Sequence, residues 1–258
     1  MSSILNHKQP KLLSNYDSVI VSYSNGIDSM GALHWAVSNF DKNKIYLIYA
    51  DTGMEYDCNI SLFYAAASFV GVKPILVAHP KGFLRLLLEE RLKFPDYKRR
   101  WCTAYLKANV IDKWIRQNRH ILGQKCLFIS GERGDESPKR ALLPENKYHR
   151  THLATNRVAE FECHWYRPNL PLEKGHMFEK AKILGLPTHP CYQYLNRCSC
   201  MFCFYMKDED VIKNIIRYPK EAKKWIQAEI KLGHTWKAKQ SLTALWQKCD
   251  ELGEDAVA

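Results

Sequence analysis

The sequence predicts an α/β protein. Its architecture is a doubly wound parallel sheet, joined to a cysteine-rich segment and a helical C-terminal region. Three observations carry this. Short apolar runs of strand length recur between helix-like stretches in the first half. Prolines and cysteines then crowd the stretch after Arg167. From Lys207 onward the pattern is helical, with Trp225, Trp236 and Trp246 as packing anchors.

Ser18 to Tyr23 (SVIVSY) opens the series as a β-branched run. Ile45 to Ala50 (IYLIYA), Pro74 to Ala78 (PILVA) and Cys126 to Ser130 (CLFIS) follow. All are mostly apolar, as strands buried on both faces must be. Ser29 to Phe40, Asn59 to Val70 and Thr103 to Gln117 read as helices between them. Strand, crossover and strand in repetition build a parallel sheet covered by helices. Ligands of such sheets bind beyond the carboxyl ends of the strands. Leu142 to Phe161 lacks clear periodicity and reads as a long loop. Pro168, Pro171, Pro187 and Pro190 punctuate the next stretch, and five cysteines fall between Cys163 and Cys203.

The chain has 258 residues, 38 Lys plus Arg against 27 Asp plus Glu, a net charge of +11, and nine cysteines. A chain of this length buries enough surface to fold without disulfides. Apolar content of 46% and charged content of 25% exclude disordered, collagenous and coiled-coil classes. No run of 18 apolar residues is present, which excludes a membrane helix. The opening residues MSSILNHKQPKLLSNYDS lack the apolar core of a signal peptide. A cytoplasmic location is therefore expected, where cysteines serve as thiols or metal ligands. The positive excess suits an anionic partner, a nucleotide or nucleic acid.

After the first predicted strand comes Ser24-Asn25-Gly26-Ile27-Asp28-Ser29. A small polar turn that opens a helix aims N–H groups and hydroxyls at one place, which suits an anion. Gly26 is free to adopt backbone conformations closed to other residues. Asp28 repels phosphate unless a cation intervenes, so it points to Mg²⁺ or to helix capping. Neither a G-x-x-x-x-G-K-[ST] loop nor a G-x-G-x-x-G fingerprint is present. Read blandly, the same residues are a capped strand-to-helix turn.

Ser24-x-Gly26-x-Asp28-Ser29 resembles the pyrophosphate (PP) loop of the adenine nucleotide α-hydrolase superfamily, usually Ser-Gly-Gly-x-Asp-Ser; Asn25 departs from it. Further segments resemble the phosphoadenosine phosphosulfate reductase branch. These are Ala50-Asp51-Thr52-Gly53, Arg100-Trp101-Cys102-Thr103 with Lys107, and Gly131-Glu132-Arg133 with Glu136-Ser137 and Arg140. Arg167-Pro168 also belongs here, with Gly185-Leu186-Pro187, Pro190, Tyr192, Arg197 and Cys200-x-x-Cys203. The resemblance implies an adenine nucleotide α-hydrolase-like fold and a loop that holds the phosphates of ATP or an adenylyl sulfate. It implies that Ser24, Asn25, Gly26, Ile27, Asp28 and Ser29 bind the nucleotide, with Asp51, Thr52, Gly53 and Gly131 beside it. Ser24, Asp28, Ser29, Arg133 and Arg140 are the catalytic candidates; guanidinium forks match phosphate or sulfate oxygens. The chain then divides into a nucleotide-binding domain at 1–167, a cysteine-rich metal segment at 168–206 and a helical region at 207–258.

Cys200-Met201-Phe202-Cys203 has the spacing of two ligands in a tight turn. The resemblance supplies Cys102 as a third ligand and favours a [4Fe–4S] cluster over Zn²⁺. Cys191 is the preferred fourth, with Cys198 in reserve. Cys102-Thr103 stands where clustered sulfonucleotide reductases have two adjacent cysteines, and plain thiols are the alternative. Cys58, Cys126, Cys163 and Cys249 read as ordinary thiols.

The leading function is an ATP pyrophosphatase that adenylylates an acceptor for sulfur transfer, similar to the ATPase component of DNA phosphorothioation systems. A sulfur-donor protein is an implied partner. Arg91 to Arg119 is rich in Lys and Arg, with Tyr97 and Trp101 interleaved, which suits a DNA or RNA acceptor. Solvated helix faces explain the same charges. The second reading is a sulfonucleotide reductase. The usual Glu-Cys-Gly-Leu-His nucleophile motif is not found, and the last residues read Glu-Leu-Gly-Glu-Asp-Ala-Val-Ala. A third is a non-catalytic nucleotide- or nucleic-acid-binding module.

Overall fold

The computed structural model describes residues 15–155 and 158–252. Strands and helices alternate in the order β1 (Ser18–Tyr23), α1 (Ile27–Asn39), β2 (Ile45–Asp51), α2 (Asn59–Val70) and β3 (Lys73–Ala78). Then come α3 (Gly82–Leu86), α4 (Trp101–Thr103), α5 (Asn109–Gln117), α6 (Arg119–Leu122) and β4 (Lys125–Ile129). A π-helical turn at Leu87–Arg91 follows α3, and another at Ala104–Ala108 joins α4 to α5. After α7 (Pro138–Ala141) the chain forms β5 (Asn146–Tyr148), β6 (Leu153–Thr155) and β7 (Val158–Tyr166). Helices α8 (Lys174–Leu184), α9 (Asp208–Arg217), α10 (Pro219–Leu232) and α11 (Leu242–Leu252) complete it.

The main sheet runs β3-β2-β1-β4-β7-β5, and β6 pairs β7. β1 lies parallel to β2 and β4, and β4 parallel to β7, while β5 and β6 run antiparallel to β7. The strand order steps outward in both directions from β1 and β4. Their carboxyl ends therefore mark the topological switch point, where such sheets bind ligands. Continuous apolar runs make β1 and β2 buried almost throughout. In contrast, β3 is an exposed edge. An apolar run alone does not distinguish an edge strand from a central one, and Pro74, which has no ladder donor, fits an edge.

The stretch read as a loop, Leu142 to Phe161, instead contains β5, β6 and the start of β7. Strand β7 alternates over 161–164: Phe161 and Cys163 are buried, while Glu162 and His164 are partly exposed. Its signal is a period of two, not a continuous apolar run.

The residues group into two compact units. One takes the described residues through 49, then 63–75 and 112–187; the other takes 50–62, 76–111 and those from 188. Each has its own core. The first packs Val19, Val21, Leu33, Leu47, Phe63 and Ile129 around the sheet, with α1 against α8. Cys126 and Cys163 are neighbours on β4 and β7 and are fully buried.

In the second core, Trp225 stacks on Phe83 at 4.8 Å and on Phe94 at 5.8 Å between centroids. The Trp236 indole N–H donates to Phe202 O at 2.9 Å. Trp246 packs at the edge of this core. The buried Glu229 carboxylate accepts from the N–H of Trp236 at 2.5 Å and of Leu242 at 3.0 Å. It thereby satisfies a donor at the start of α11 that would otherwise be unpaired. Among the described residues, no helix is long and apolar enough to cross a membrane.

Candidate functional site

In the first unit, the loop between β1 and α1 is closed on itself by Ser29. Its hydroxyl donates to Gly26 O at 2.7 Å and accepts from Ser24 N at 3.2 Å; Ser24 Oγ lies 3.4 Å away. The Ser29 and Met30 N–H groups both donate to Gly26 O, which starts α1. Ser29 is buried and Ser24 exposed. The serine pair thus splits its duties: Ser29 shapes the loop, and Ser24 faces outward. Ile27, buried at 2%, anchors the first helical turn.

The left-handed residue of the loop is Asn25, at φ +58, while Gly26 is extended at φ −78. The conformational freedom expected of Gly26 is therefore exercised one residue earlier. Asparagine is among the few side chains that enter this region readily.

The end of β4 meets this loop. A Cβ on Gly131 would collide with the Asp28 carbonyl, so only glycine permits the approach. Arg133 is 6% exposed. Its guanidinium ion-pairs with Asp28 through Nη1 and with Asp135 through Nε at 2.9 Å. The fully buried Asn169 donates to Asp28 O at 2.8 Å. Arg140 ion-pairs with Glu136 one turn away and is half-buried. One buried guanidinium thus stands between two carboxylates beside a closed polar loop. Because Asp28 is engaged by Arg133, a cation at Asp28 requires that pair to part.

In the second unit, Asp51 ends β2 and begins a turn. Its carboxylate accepts from Gly53 N at 2.8 Å, and Gly53 sits at φ +75. Burial pushes the Asp51 carboxyl above its ordinary value, opposed by the Gly53 N–H. Glu55 holds the turn from within. It accepts from Thr52 N at 3.0 Å, Thr52 Oγ1 at 2.7 Å and Met54 N at 3.2 Å. Nothing in the local pattern singles out Glu55, because its partners are defined only once the turn closes.

Glu55 also faces the thiols. Lys107, carried on the π-helical turn, lies 3.8 Å from Glu55 and 3.8 Å from Cys200 Sγ. Cys200 Sγ lies 3.7 Å from Glu55 Oε1. Cys200 as a thiolate, and then Glu55, push the Lys107 pKa up. Burial pushes the Cys102 and Cys200 thiols up, and each also feels Cys203. Cys102, Cys200 and Cys203 therefore share one electrostatic neighbourhood with an ammonium that favours thiolates.

Cys191 has different company. Its Sγ, that of Cys198 and a ring nitrogen of His189 all lie within 4.8 Å of one another. A hydrogen bond with Cys191, then burial, pushes the Cys198 thiol up. Among the described residues this is the group at such close mutual spacing, and Cys102, Cys200 and Cys203 are not part of it. A mononuclear ion draws its sulfur ligands to about 4 Å from one another.

The fold recurs in a known protein. A U34-tRNA thiolase, NcsA, from Methanococcus maripaludis, solved with its [4Fe-4S] cluster, superposes with a TM-score of 0.50 at 13% identity. That match covers 95% of this chain and 75% of the thiolase. At this identity the likeness speaks for the fold alone. The phosphoadenylyl-sulfate reductase of Candida auris, in a phosphate complex, gives a TM-score of 0.48 at 12% identity, over 69% of this chain and 78% of its own. An uncharacterized 37.8 kDa protein from the gpa 5′ region of Escherichia phage 186 is 29% identical over 167 residues. The match spans 64% of this chain and about half of that relative, 47% of its length. The phosphoadenosine phosphosulfate reductase domain profile matches residues 18–158, a span that opens at β1, includes the Ser24–Ser29 loop and Arg133, and exceeds half of the sequence, so the chain belongs to that family.

Proposed function

We propose that the chain is a PP-loop ATP pyrophosphatase that adenylylates an acceptor for sulfur transfer, the acceptor being a nucleic acid. The observation that carries this reading is Arg133, a buried guanidinium held against the Ser24–Ser29 loop at the β1–β4 switch point. In this reading Ser24, the loop N–H groups and Arg133 hold the β and γ phosphates of ATP. Arg140 is the second clamp. An acceptor oxygen attacks the α phosphorus, pyrophosphate leaves, and a sulfur nucleophile then displaces AMP. The residues position the reactants and neutralise charge.

Asp28 is the candidate Mg²⁺ ligand once Arg133 turns to phosphate; Mg²⁺ would neutralise charge on the leaving pyrophosphate. Cys102, Cys200 and Cys203 would hold a [4Fe–4S] cluster, in line with their all-thiol ligand set and the Lys107 charge beside Cys200. When bound by three cysteines, such a cluster supplies one iron open to sulfur from a donor protein. The thiolase of similar fold carries a [4Fe-4S] cluster, which supports this assignment over Zn²⁺.

The test uses the anaerobically purified chain with ATP, Mg²⁺, and DNA or RNA. Pyrophosphate and AMP should form, with turnover falling about 10²–10³-fold in Arg133→Ala, as when one transition-state donor is removed. Sulfite released from phosphoadenosine phosphosulfate, without pyrophosphate from ATP, would replace this reading with reductase chemistry. ATP binding without turnover under every condition would leave a non-catalytic module.

A further inference from the structure

A second group of metal-ligating side chains lies apart from Cys102, Cys200 and Cys203 in the contact pattern. His189 and Cys191 are buried at 2% and 1% exposure, and Cys198 is half-buried. Their ligand atoms all lie within 4.8 Å of one another. Tetrahedral coordination by imidazole nitrogen and thiolate requires separations of about 3.5–4 Å, so a modest contraction suffices.

The imidazole is already oriented. His189 Nε2 lies 2.7 Å from Asn59 Oδ1, which fixes that nitrogen as the N–H donor. Nδ1 then carries the lone pair and accepts from Cys191 N at 3.1 Å. That lone pair caps the Pro190–Gln193 turn by holding the Cys191 backbone N–H, so a metal on Nδ1 would take the place of this one hydrogen bond. An imidazole whose other nitrogen donates to a carbonyl oxygen is the usual arrangement of a metal-binding histidine. Cys58 Sγ lies 3.5 Å from Nε2, so a third thiol stands close by. Proline at 190 and the short 3₁₀ turn Pro190–Gln193 fix the spacing of His189 and Cys191.

We propose that His189, Cys191 and Cys198 form a mononuclear metal centre of the zinc class, distinct from the Cys102–Cys200–Cys203 set, with Asn59 orienting the imidazole. Mixed nitrogen and thiolate ligands favour Zn²⁺ among available divalent ions. Binding converts two thiols to thiolates and releases two protons, so the dication and its two thiolates are together neutral. The ion would tie the cysteine-rich turn to the start of α2 through His189 and Asn59.

The full chain, stripped of metal under anaerobic conditions, is titrated with Co²⁺ and then Zn²⁺. The expected result is a thiolate-to-cobalt absorption with tetrahedral ligand-field bands, displaced by one equivalent of Zn²⁺. It should persist in Cys200→Ser and vanish in Cys198→Ser. Asn59→Ala should weaken binding about 10–100-fold while leaving the band shape intact. Circular dichroism checks that each variant folds; if Cys198→Ser does not, Asn59→Ala carries the test. A band that survives in a folded Cys191→Ser/Cys198→Ser variant, that is lost in Cys200→Ser, or that is not seen in the wild-type chain overturns the proposal. None of these readouts involves ATP, so failure here leaves the pyrophosphatase reading standing, and the converse holds.

Discussion

At position 25 the backbone takes φ +58 on a non-glycine residue, inside the loop that begins α1. An ordinary L-residue loses about 1–2 kcal/mol in that region, and asparagine less. Asn25→Gly keeps this backbone geometry without strain, whereas Asn25→Val should lower stability by about 1–2 kcal/mol more than the glycine variant at constant m-value. Equal midpoints for the glycine and valine variants would show that the loop does not need this geometry. Tyr16 carries a different signal. It is 6% exposed, and its hydroxyl lies 2.5 Å from His164 Nδ1. Burial, with Glu162 adding, pushes its pKa from 10.0 up to about 12. The fold thus favours the neutral phenol. That contribution is complete below pH 10 and is lost as pH rises from 10 to 12. Stability should fall across that window, and Tyr16→Phe should fall less when urea midpoints are compared at each pH. Loop residues Ser24 to Ser29 were legible because their contacts are local in sequence. Asn169, which donates to Asp28 O from 141 positions away, left no local mark.

Among elements, the meeting of β4 with the β1–α1 loop depends on one missing methyl. A Cβ at Gly131 would overlap the backbone of Asp28 and press on Ser29 N. Gly131→Ala must push the two segments apart, because backbone cannot yield as a flexible side chain can. Overpacking of this kind costs about 1–3 kcal/mol. The separation also moves the Ser24–Ser29 loop away from Arg133; in the proposed reading the two hold the phosphates together, so ATP affinity should fall with stability. Thermal melts and calorimetric nucleotide titration check both; an unchanged melt with unchanged affinity would refute the close approach. The strands Ser18–Tyr23, Ile45–Asp51 and Lys125–Ile129 were legible because central parallel strands must be apolar along their length. β7 was not, because Glu160, Glu162 and His164 interrupt its apolar residues. The π turn that carries Lys107 is likewise invisible to a 3.6-residue pattern, since one inserted residue leaves the flanking helices in place. Such turns recur at functional sites, which fits the thiols and carboxylate around Lys107.

For the molecule as a whole, the two compact units interleave along the chain, an arrangement that blocks drawn from end to end have no means of showing. The charge of +11 is also divided more finely than composition reveals. Several cations of the Arg91–Arg119 stretch have structural partners. Arg116 pairs with Asp112 at 3.7 Å, Arg119 donates to Thr151 O at 2.9 Å, and Arg91 stacks on Tyr105 at 3.9 Å. Lys107 serves Glu55 and Cys200. Lys93, Lys98, Arg99 and Arg100 remain exposed in the second unit around Tyr97, which is 61% exposed. Asp96 orders this loop by accepting the N–H groups of Lys98 and Arg99, both at 2.7 Å, so their side chains extend from a fixed backbone. If a nucleic acid is the acceptor, these cations displace its counterions, and an exposed tyrosine offers a face for base stacking. Replacing Lys98 and Arg99 with glutamine should reduce the slope of log K against log salt by about 1.4 for a single strand or about 1.8 for a duplex. Tyr97→Ala should weaken single-strand binding by about 1–3 kcal/mol with the slope unchanged. Fluorescence anisotropy over a salt series separates the two effects. An unchanged slope in the double variant would assign the phosphates to another surface. No binding by the wild-type chain at low salt would remove nucleic acid as the acceptor and leave pyrophosphate release to be tested on small molecules.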